Sequence, residues 1–212
     1  MTSAIIETSN SWLQPRAASS EKGKKRLTVI LNVAREVFAL EGYSKFTLRR
    51  IASGAGMHLA SLQHYFASKE DLLSTLIEDS NAYHEKIFQD IIHKTSNSPE
   101  ERFTAFINHQ LAEHKNHTTC GFFFQLWALA PNHNFAHKLM EKMYENYRHQ
   151  LSRLMKKVRP DLGNEDLEQR AALIIAMLEG MMLLIGGKKS TLSPFNTIKE
   201  KTEHAVLQIL KE

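Results

Sequence analysis

The chain has 212 residues, of which 42% are hydrophobic and 24% charged, and its formal net charge is +4. A single cysteine, Cys120, excludes an intramolecular disulfide. No signal peptide is recognisable, and no stretch approaches the roughly 20 apolar residues of a membrane helix. We therefore expect a globular cytoplasmic protein that makes no membrane contact.

The positive charge is concentrated near the beginning of the chain. Residues 22–69 hold nine Lys/Arg and two Asp/Glu, whereas the remainder holds 18 Lys/Arg and 21 Asp/Glu. A basic segment beside a mildly acidic remainder is typical of a protein that contacts nucleic-acid phosphates.

The first elements are an arm and a helix. Residues 1–21 predict a flexible arm, because they are rich in Ser, Ala and Thr and lack periodicity. The basic run that follows is either a solvated lead-in to a helix or an arm that contacts DNA. Apolar residues at helical spacing predict a helix over about 24–40, ended by Gly42. The basic run consists of Lys22, Lys24, Lys25 and Arg26.

Residues 47–66 predict two short helices joined by a tight turn at Gly54 and Gly56. Thr47 is placed to cap the first helix, and its hydroxyl can also reach a phosphate. The inward face of the pair consists of Leu48, Ile51, Ala52, Ala55, Leu59, Leu62 and Phe66. The outward face of the second helix is small, uncharged and rich in hydrogen-bonding groups, which suits base edges in a major groove. It consists of His58, Ala60, Ser61, Gln63 and His64.

Every later segment also has a helical pattern, and no period-two alternation occurs. Ser68 caps a long helix over 69–94, with Asp71 at its third position. We therefore expect an all-α protein of about nine helices, in which a three-helix helix-turn-helix domain precedes a larger helical domain. The further helices are expected at about 99–116, 122–130, 133–158, 165–186 and 194–210.

Two further features leave alternatives open. His114, His117 and Cys120 have a spacing that could bind a transition metal, which would make the protein a metal-responsive regulator. A helical adaptor that binds protein or membrane through its basic region is another possibility. No catalytic signature occurs, so we do not expect an enzyme or a cofactor.

Residues 26–73 resemble the tetracycline-repressor (TetR) family of bacterial transcription regulators. The matching residues are Ile30, Leu31, Ala34, Phe38, Glu41, Gly42, Tyr43, Thr47, Ile51, Ala52, Ala55, Gly56, Leu62, Tyr65, Phe66, Ser68, Lys69, Glu70, Asp71 and Leu72. Beyond them the chain is similar to the family only in its layout of helices. The family often has a small hydroxyl residue at His58, Gly at Ala60 and an aromatic residue at Gln63, which affects the expected operator sequence.

The resemblance implies a homodimer that binds a near-palindromic operator and represses transcription. Residues 22–70 would form the DNA-binding domain, and residues 71–212 would bind ligand and dimerise. The expected backbone contacts come from Thr47, Tyr65 and Lys69, and the base contacts from His58, Leu59, Ala60, Ser61, Gln63 and His64. Exposure and charge add Lys25, Arg26 and Arg49 as candidate phosphate contacts.

The resemblance also implies a small-molecule effector, apolar or aromatic, that releases the DNA. The candidate pocket residues are Phe103, Phe106, His109, Phe122, Phe124, Trp127, Met140, Tyr144, Tyr147 and Met177. The last two helices would build the dimer interface, where Gly180 would permit close helix approach. The candidate interface residues are Ala171, Ile175, Leu178, Gly180, Met182, Ile185, Ile198, Thr202, Ala205, Val206 and Ile209.

Overall fold

The computed structural model describes residues 20–95, 98–186 and 195–211. Within those ranges the chain is all-α, as the sequence predicts, with nine α-helices and no strand. None of the helices described is long and apolar enough to cross a bilayer. The helices are α1 (Glu21–Glu36), α2 (Leu48–Gly54), α3 (Leu59–Gln63), α4 (Lys69–Lys94), α5 (Pro99–Glu113), α6 (His117–Leu129), α7 (Asn134–Val158), α8 (Asn164–Ile185) and α9 (Phe195–Lys211).

The chain forms two compact units. The first comprises the described residues up to His84 together with Gln125–Leu139, and the second comprises Glu85–Phe124 and the described residues from Met140 onward. Helix α4 contributes to both units. The two compact units do not coincide with the DNA-binding and ligand-binding domains that the sequence analysis separates at residue 70. That functional division stays a prediction.

The beginning of α1 corrects one sequence interpretation. Most of the expected arm lies outside the described residues, but Ser20 caps α1 by accepting a hydrogen bond from the Gly23 amide, and Glu21 is already helical. The basic run therefore lies within α1. This helix continues into a π-helical turn, Val37–Glu41, which ends at Gly42 with a φ of 82°.

The first unit is built around one apolar core. Leu27 and Ile30 of α1 are buried, and so is Phe38 of the π-helical turn that follows it. Ile51 of α2 and Leu62 of α3 have no exposed surface, so both short helices are held by packing. Such packing is essential, because a five-residue helix is not stable alone.

An ion pair joins α1 to α4 beside this core. The Arg35 guanidinium donates to the Asp79 carboxylate at 2.9 Å, and both side chains are largely shielded from water. Desolvation raises the pKa of Asp79 above its ordinary value, while the attraction of Arg35 acts in the opposite direction. A pair that is shielded in this way adds little net stability, because the cost of desolvation offsets much of the attraction.

The turn between α2 and α3 depends on two glycines. Gly56 has a φ of 62°, which side chains rarely adopt. Gly54 is needed for space, because a Cβ atom there would lie 2.7 Å from Val33 Cγ1 of α1. Thr47 caps α2 as expected by accepting a hydrogen bond from the Arg50 amide at 3.2 Å.

The second unit has its own core, formed by α5, α7, α8, α9 and the second half of α4. Its fully buried members include Phe88, Phe103, Leu111, Leu151 and Ile174. Edge-to-face ring contacts run from Phe88 through Phe106 to Tyr147, with centroid separations of 5.8 and 6.0 Å.

Gly54→Ala should lower the free energy of unfolding by about 1–3 kcal/mol, because the added methyl group overlaps with the branched Val33 side chain. Urea unfolding measures the change. Val33→Ala removes the overlapping atom, so the double variant should lose less than the sum of the two single variants. Additive losses would show that the α1–α2 contact does not require a glycine.

Candidate functional site

The exposed face of α3 is polar, as the sequence analysis predicts. His58 caps the helix with extended backbone geometry, and Ala60, Gln63 and His64 are exposed. Ser61 and Leu59 are half-buried, so Leu59 contributes to both faces. The buried Leu62 fixes this orientation from the opposite side.

Side chains that can reach phosphates surround this helix within the first unit. Lys25, Arg26, Thr47 and Arg49 are exposed, whereas Tyr65 and Lys69 are half-buried. Their contacts with DNA stay a prediction.

Arg50, next to Arg49, has a partner within the chain. Its guanidinium donates to both carboxylate oxygens of Glu41, at 2.5 and 3.1 Å. The hydrogen bond from Arg50 lowers the pKa of Glu41. The pair connects the end of the π-helical turn to α2. The Arg50 side chain therefore contributes to holding the helix-turn-helix motif together.

Tyr43 makes several side-chain contacts that the sequence analysis did not predict. Its hydroxyl donates to the Glu70 carboxylate at 3.0 Å, and the Lys69 amino group lies 3.9 Å from the centre of its ring. Burial, followed by the Glu70 interaction, raises the pKa of Tyr43 to about 12. Its ring also contacts His133, with the ring centroids 5.4 Å apart. Tyr43 thereby orders the first turn of α4, where Lys69 is a predicted phosphate contact.

The structure does not assemble the suspected metal site. Among the described residues, no group of three or more His, Cys, Asp or Glu side chains is arranged to hold a metal ion. The Cys120 thiol donates to the His114 carbonyl oxygen, with sulfur and oxygen 3.2 Å apart, and burial raises the pKa of that thiol to about 11. Burial also lowers the pKa of His114 to about 4, and His117 is exposed. In the structure, the spacing of His114 and Cys120 therefore allows a hydrogen bond at the start of α6.

The predicted pocket residues fall into three groups. Phe103, Phe106 and Phe122 are buried in the second unit, where they pack as core. Trp127 belongs to the first unit, because the division between the units falls within α6. The half-buried residues of the second unit are His109, Phe124, Met140, Tyr144, Tyr147 and Met177.

A buried carboxyl group lies among these half-buried residues, and sequence reasoning did not select it. Glu179 of α8 accepts a hydrogen bond from Tyr144, and its charge acts on the Tyr147 hydroxyl and the Cys120 thiol. The other oxygen, Oε2, is buried and has no hydrogen-bond partner among the described residues. Desolvation raises the pKa of Glu179 to about 7, although the Tyr144 hydrogen bond lowers it.

The expected dimer-interface residues stay a prediction, although the fold bears on them. Most of them pack inside the second unit of a single chain, which leaves them little surface for a partner. The buried ones are Ala171, Ile175, Leu178, Met182, Ile185, Thr202 and Val206. Gly180, Ile198, Ala205 and Ile209 retain partial exposure. A Cβ atom on Gly180 would meet nothing within 4 Å, so no neighbour among the described residues requires the glycine.

A second apolar face of α8 is exposed instead. Leu173 is 61% exposed and Leu183 is 64% exposed. With Ala176 and Gly180 they follow a spacing of three and four residues, which places them on one stripe. We call Leu173, Ala176, Gly180 and Leu183 the α8 stripe.

Two family models match the chain. Residues 30–76 match the model of bacterial regulatory proteins of the tetR family, and residues 99–206 match the C-terminal model of BetI-type transcriptional repressors. The chain belongs to the TetR family. The resemblance read from residues 26–73 is thereby confirmed, and the TetR family consists of transcription regulators.

Individual relatives of this TetR-family chain agree with that assignment. It is 38% identical over 73 residues to the HTH-type transcriptional repressor KstR2 of Mycobacterium tuberculosis, and this alignment covers 34% of the chain and only 36% of KstR2. It is 27% identical over 189 residues to an uncharacterized HTH-type transcriptional regulator, in the dhlA 5' region, of Xanthobacter autotrophicus, covering 86% and 89% of the two chains. In fold it is similar to a Saccharomonospora viridis protein solved in complex with choline, with a TM-score of 0.70, 16% identity and coverage of 89% and 96%.

The free energy of unfolding should depend on pH through Glu179. Between pH 4.5 and about 7 the folded chain retains a proton that the unfolded chain has lost, so stability falls as the pH rises. Glu179→Gln removes this fall. Its stability relative to the parent protein should therefore increase by up to about 3 kcal/mol from pH 4.5 to pH 8 in urea titrations.

The control is Glu165→Gln, which changes an exposed carboxyl group in the first turn of the same helix. Because this side chain is exposed, the variant's stability relative to the parent should change much less over that pH range than that of Glu179→Gln. A constant difference for Glu179→Gln as well would contradict the raised pKa.

Proposed function

We propose that the protein is a homodimeric, ligand-responsive repressor that binds a near-palindromic operator in the cytoplasm. The observation that carries the proposal is the exposed polar face of α3, which the buried Leu62 directs outward. In a helix-turn-helix dimer, two such helices enter successive major grooves about 34 Å apart. His58, Ala60, Ser61, Gln63 and His64 would contact base edges.

Phosphate contacts would supply most of the affinity and its salt dependence. The exposed cations Lys25, Arg26 and Arg49 are the proposed contributors from α1 and α2. Thr47, Tyr65 and Lys69 would add backbone contacts that fix the position of α3 along the groove.

We infer that a small molecule bound in the second unit lowers DNA affinity. The match to the C-terminal domain of BetI-type repressors supports this inference, as does choline in the Saccharomonospora viridis relative. Helix α4 begins beside the helix-turn-helix motif and continues into the second unit, so it is the proposed link. A ligand acts in this way only if it binds the DNA-competent and DNA-incompetent states with different affinities.

The α8 stripe is our proposed dimer contact in place of the buried residues. Burial of one exposed leucine contributes about 1.5–3 kcal/mol, and a twofold axis would bury each stripe residue twice. The small residues Ala176 and Gly180 in its centre would let two α8 helices approach closely.

Gln63→Ala should relax the preference for one base pair in each half-site, because a glutamine that bonds an adenine edge discriminates by about 1–3 kcal/mol. Selection of bound fragments from random oligonucleotides measures that preference. Arg49→Ala is the matched control, since loss of a phosphate contact should weaken binding to all sequences alike and reduce the salt slope by about one.

An unchanged binding motif for Gln63→Ala would exclude Gln63 from base contact. If the parent protein discriminates among no oligonucleotides at moderate salt, with or without cellular metabolites, the repressor proposal fails and the helical adaptor becomes the better interpretation.

Leu183→Glu should convert the dimer into single chains, because it places a charge within the proposed apolar contact. Analytical ultracentrifugation gives the mass directly. Ala112→Glu introduces the same charge at an exposed position of α5 and should leave the dimer intact. If the dimer persists in Leu183→Glu and also in Gly180→Leu, the α8 stripe is not the interface.

A further inference from the structure

Glu179 lacks the cationic partner that Glu168 and Asp166 of the same helix have. Glu168 accepts a hydrogen bond from Arg148 at 2.7 Å, and Asp166 accepts one from Arg170 at 3.0 Å. The only side chain that hydrogen-bonds Glu179 in the described part of the chain is the neutral hydroxyl of Tyr144. Its Oε2 atom is buried with no partner, which is costly for a carboxyl group.

The surroundings of Glu179 combine aromatic rings with a second acidic group. Tyr147 of α7 lies within range of the Glu179 charge, and its ring contacts Phe106 of α5 edge to face. Glu113 of α5 acts on the same Cys120 thiol as Glu179. Among the described residues, no lysine or arginine acts on the pKa of Glu179, Tyr147 or Cys120.

We propose that Glu179 anchors a small organic cation, whose positive charge meets the carboxylate and whose apolar body lies against the half-buried Tyr144 and Tyr147. This inference rests on the proposed ligand-responsive function and specifies the class of effector. The aromatic faces favour the same charge, because a cation over a tyrosine ring gains about 0.5–2 kcal/mol. A buried carboxylate gains most from a cation when no other positive charge neutralises it, and no lysine or arginine among the described residues pairs with Glu179.

The anchor makes ligand binding depend on pH. An organic cation stabilises the ionised form of Glu179, so binding releases the proton that the buried carboxyl group retains near neutral pH. Tyr144 and Tyr147 of α7 and Cys120 of α6 interact with Glu179, whereas Glu113 of α5 acts on Cys120 and on His109 of its own helix. Of these, burial raises the pKa of Tyr147 and Cys120 and lowers that of His109, which keeps all three uncharged near pH 7.

The test uses triples of probes that share a carbon skeleton and differ in charge. Each of the butyl, cyclohexylmethyl, benzyl and 2-phenylethyl skeletons is offered as the primary amine, the alcohol and the carboxylate. Isothermal titration of the full-length protein without DNA measures affinity. In at least one triple the amine should bind about tenfold or more tightly than the alcohol, a difference of about 1.4 kcal/mol. Equal or tighter binding of the alcohol or carboxylate in every triple, or no binding by any amine, overturns the proposal.

Glu179→Gln removes the charge but keeps the size, and it should abolish the preference for the amine over the alcohol. Glu165→Gln, at the exposed start of α8, should retain that preference. If the Glu179→Gln variant fails to fold, the pH dependence of amine binding by the parent protein still tests the proposal. Its affinity for the protonated amine should rise about tenfold from pH 6 to pH 8, with proton release detected in buffers of different ionisation enthalpy. A flat pH profile contradicts the proposal.

A gel-shift assay separates this inference from the proposed function. Release of operator DNA by an alcohol or a carboxylate alone overturns the cation proposal and leaves the repressor proposal standing. Binding of an amine that depends on Glu179, without any effect on DNA, supports the cation site and contradicts the proposed mode of regulation.

Discussion

The burial of Leu62 is the contact on which the DNA-binding interpretation depends. Helix α3 has only five residues, too few to be stable alone, and Leu62 is its one fully buried side chain. With Leu62 inward, the helix must present Ala60, Gln63 and His64 outward. The neighbouring contacts serve the same end, since Gly54 permits α2 to approach α1 and Tyr43 orders the start of α4. The polar face therefore results from apolar packing beneath it.

Sequence periodicity predicted the long helices well because each of them buries one stripe. The boundaries of α4, α7 and α8 agree with expectation to within a residue, and the caps at Thr47 and Ser68 were recognisable from residue type. Periodicity is a poorer guide to the dimer face, for a physical reason. Helix α8 is apolar on two sides, so Ile175 and Leu178 are buried while Leu173 and Leu183 are exposed. A single sequence contains no signal that distinguishes these faces.

The functional features missed by sequence reasoning are those that depend on distant residues meeting. In the sequence, Glu179 is a lone charged residue within an apolar helical segment. Only the fold brings it close to Tyr144 and Tyr147, which lie some 30 residues earlier in the chain. The same dependence explains the failed metal site. His114 and Cys120 are close in sequence, but the chain uses the Cys120 thiol to satisfy a carbonyl oxygen. Local spacing is a weak guide where the fold decides the partner.

The exposure of the outward α3 residues has a consequence for how the protein can change. Substitutions at exposed helix positions usually alter stability by less than about 0.5 kcal/mol. Gln63, His64 and Ala60 can therefore be replaced with little cost to folding, whereas Leu62 between them cannot. Target preference and architecture are thus encoded by separate side chains of one short element. A library that varies only the outward three positions would explore new operators on an unchanged scaffold.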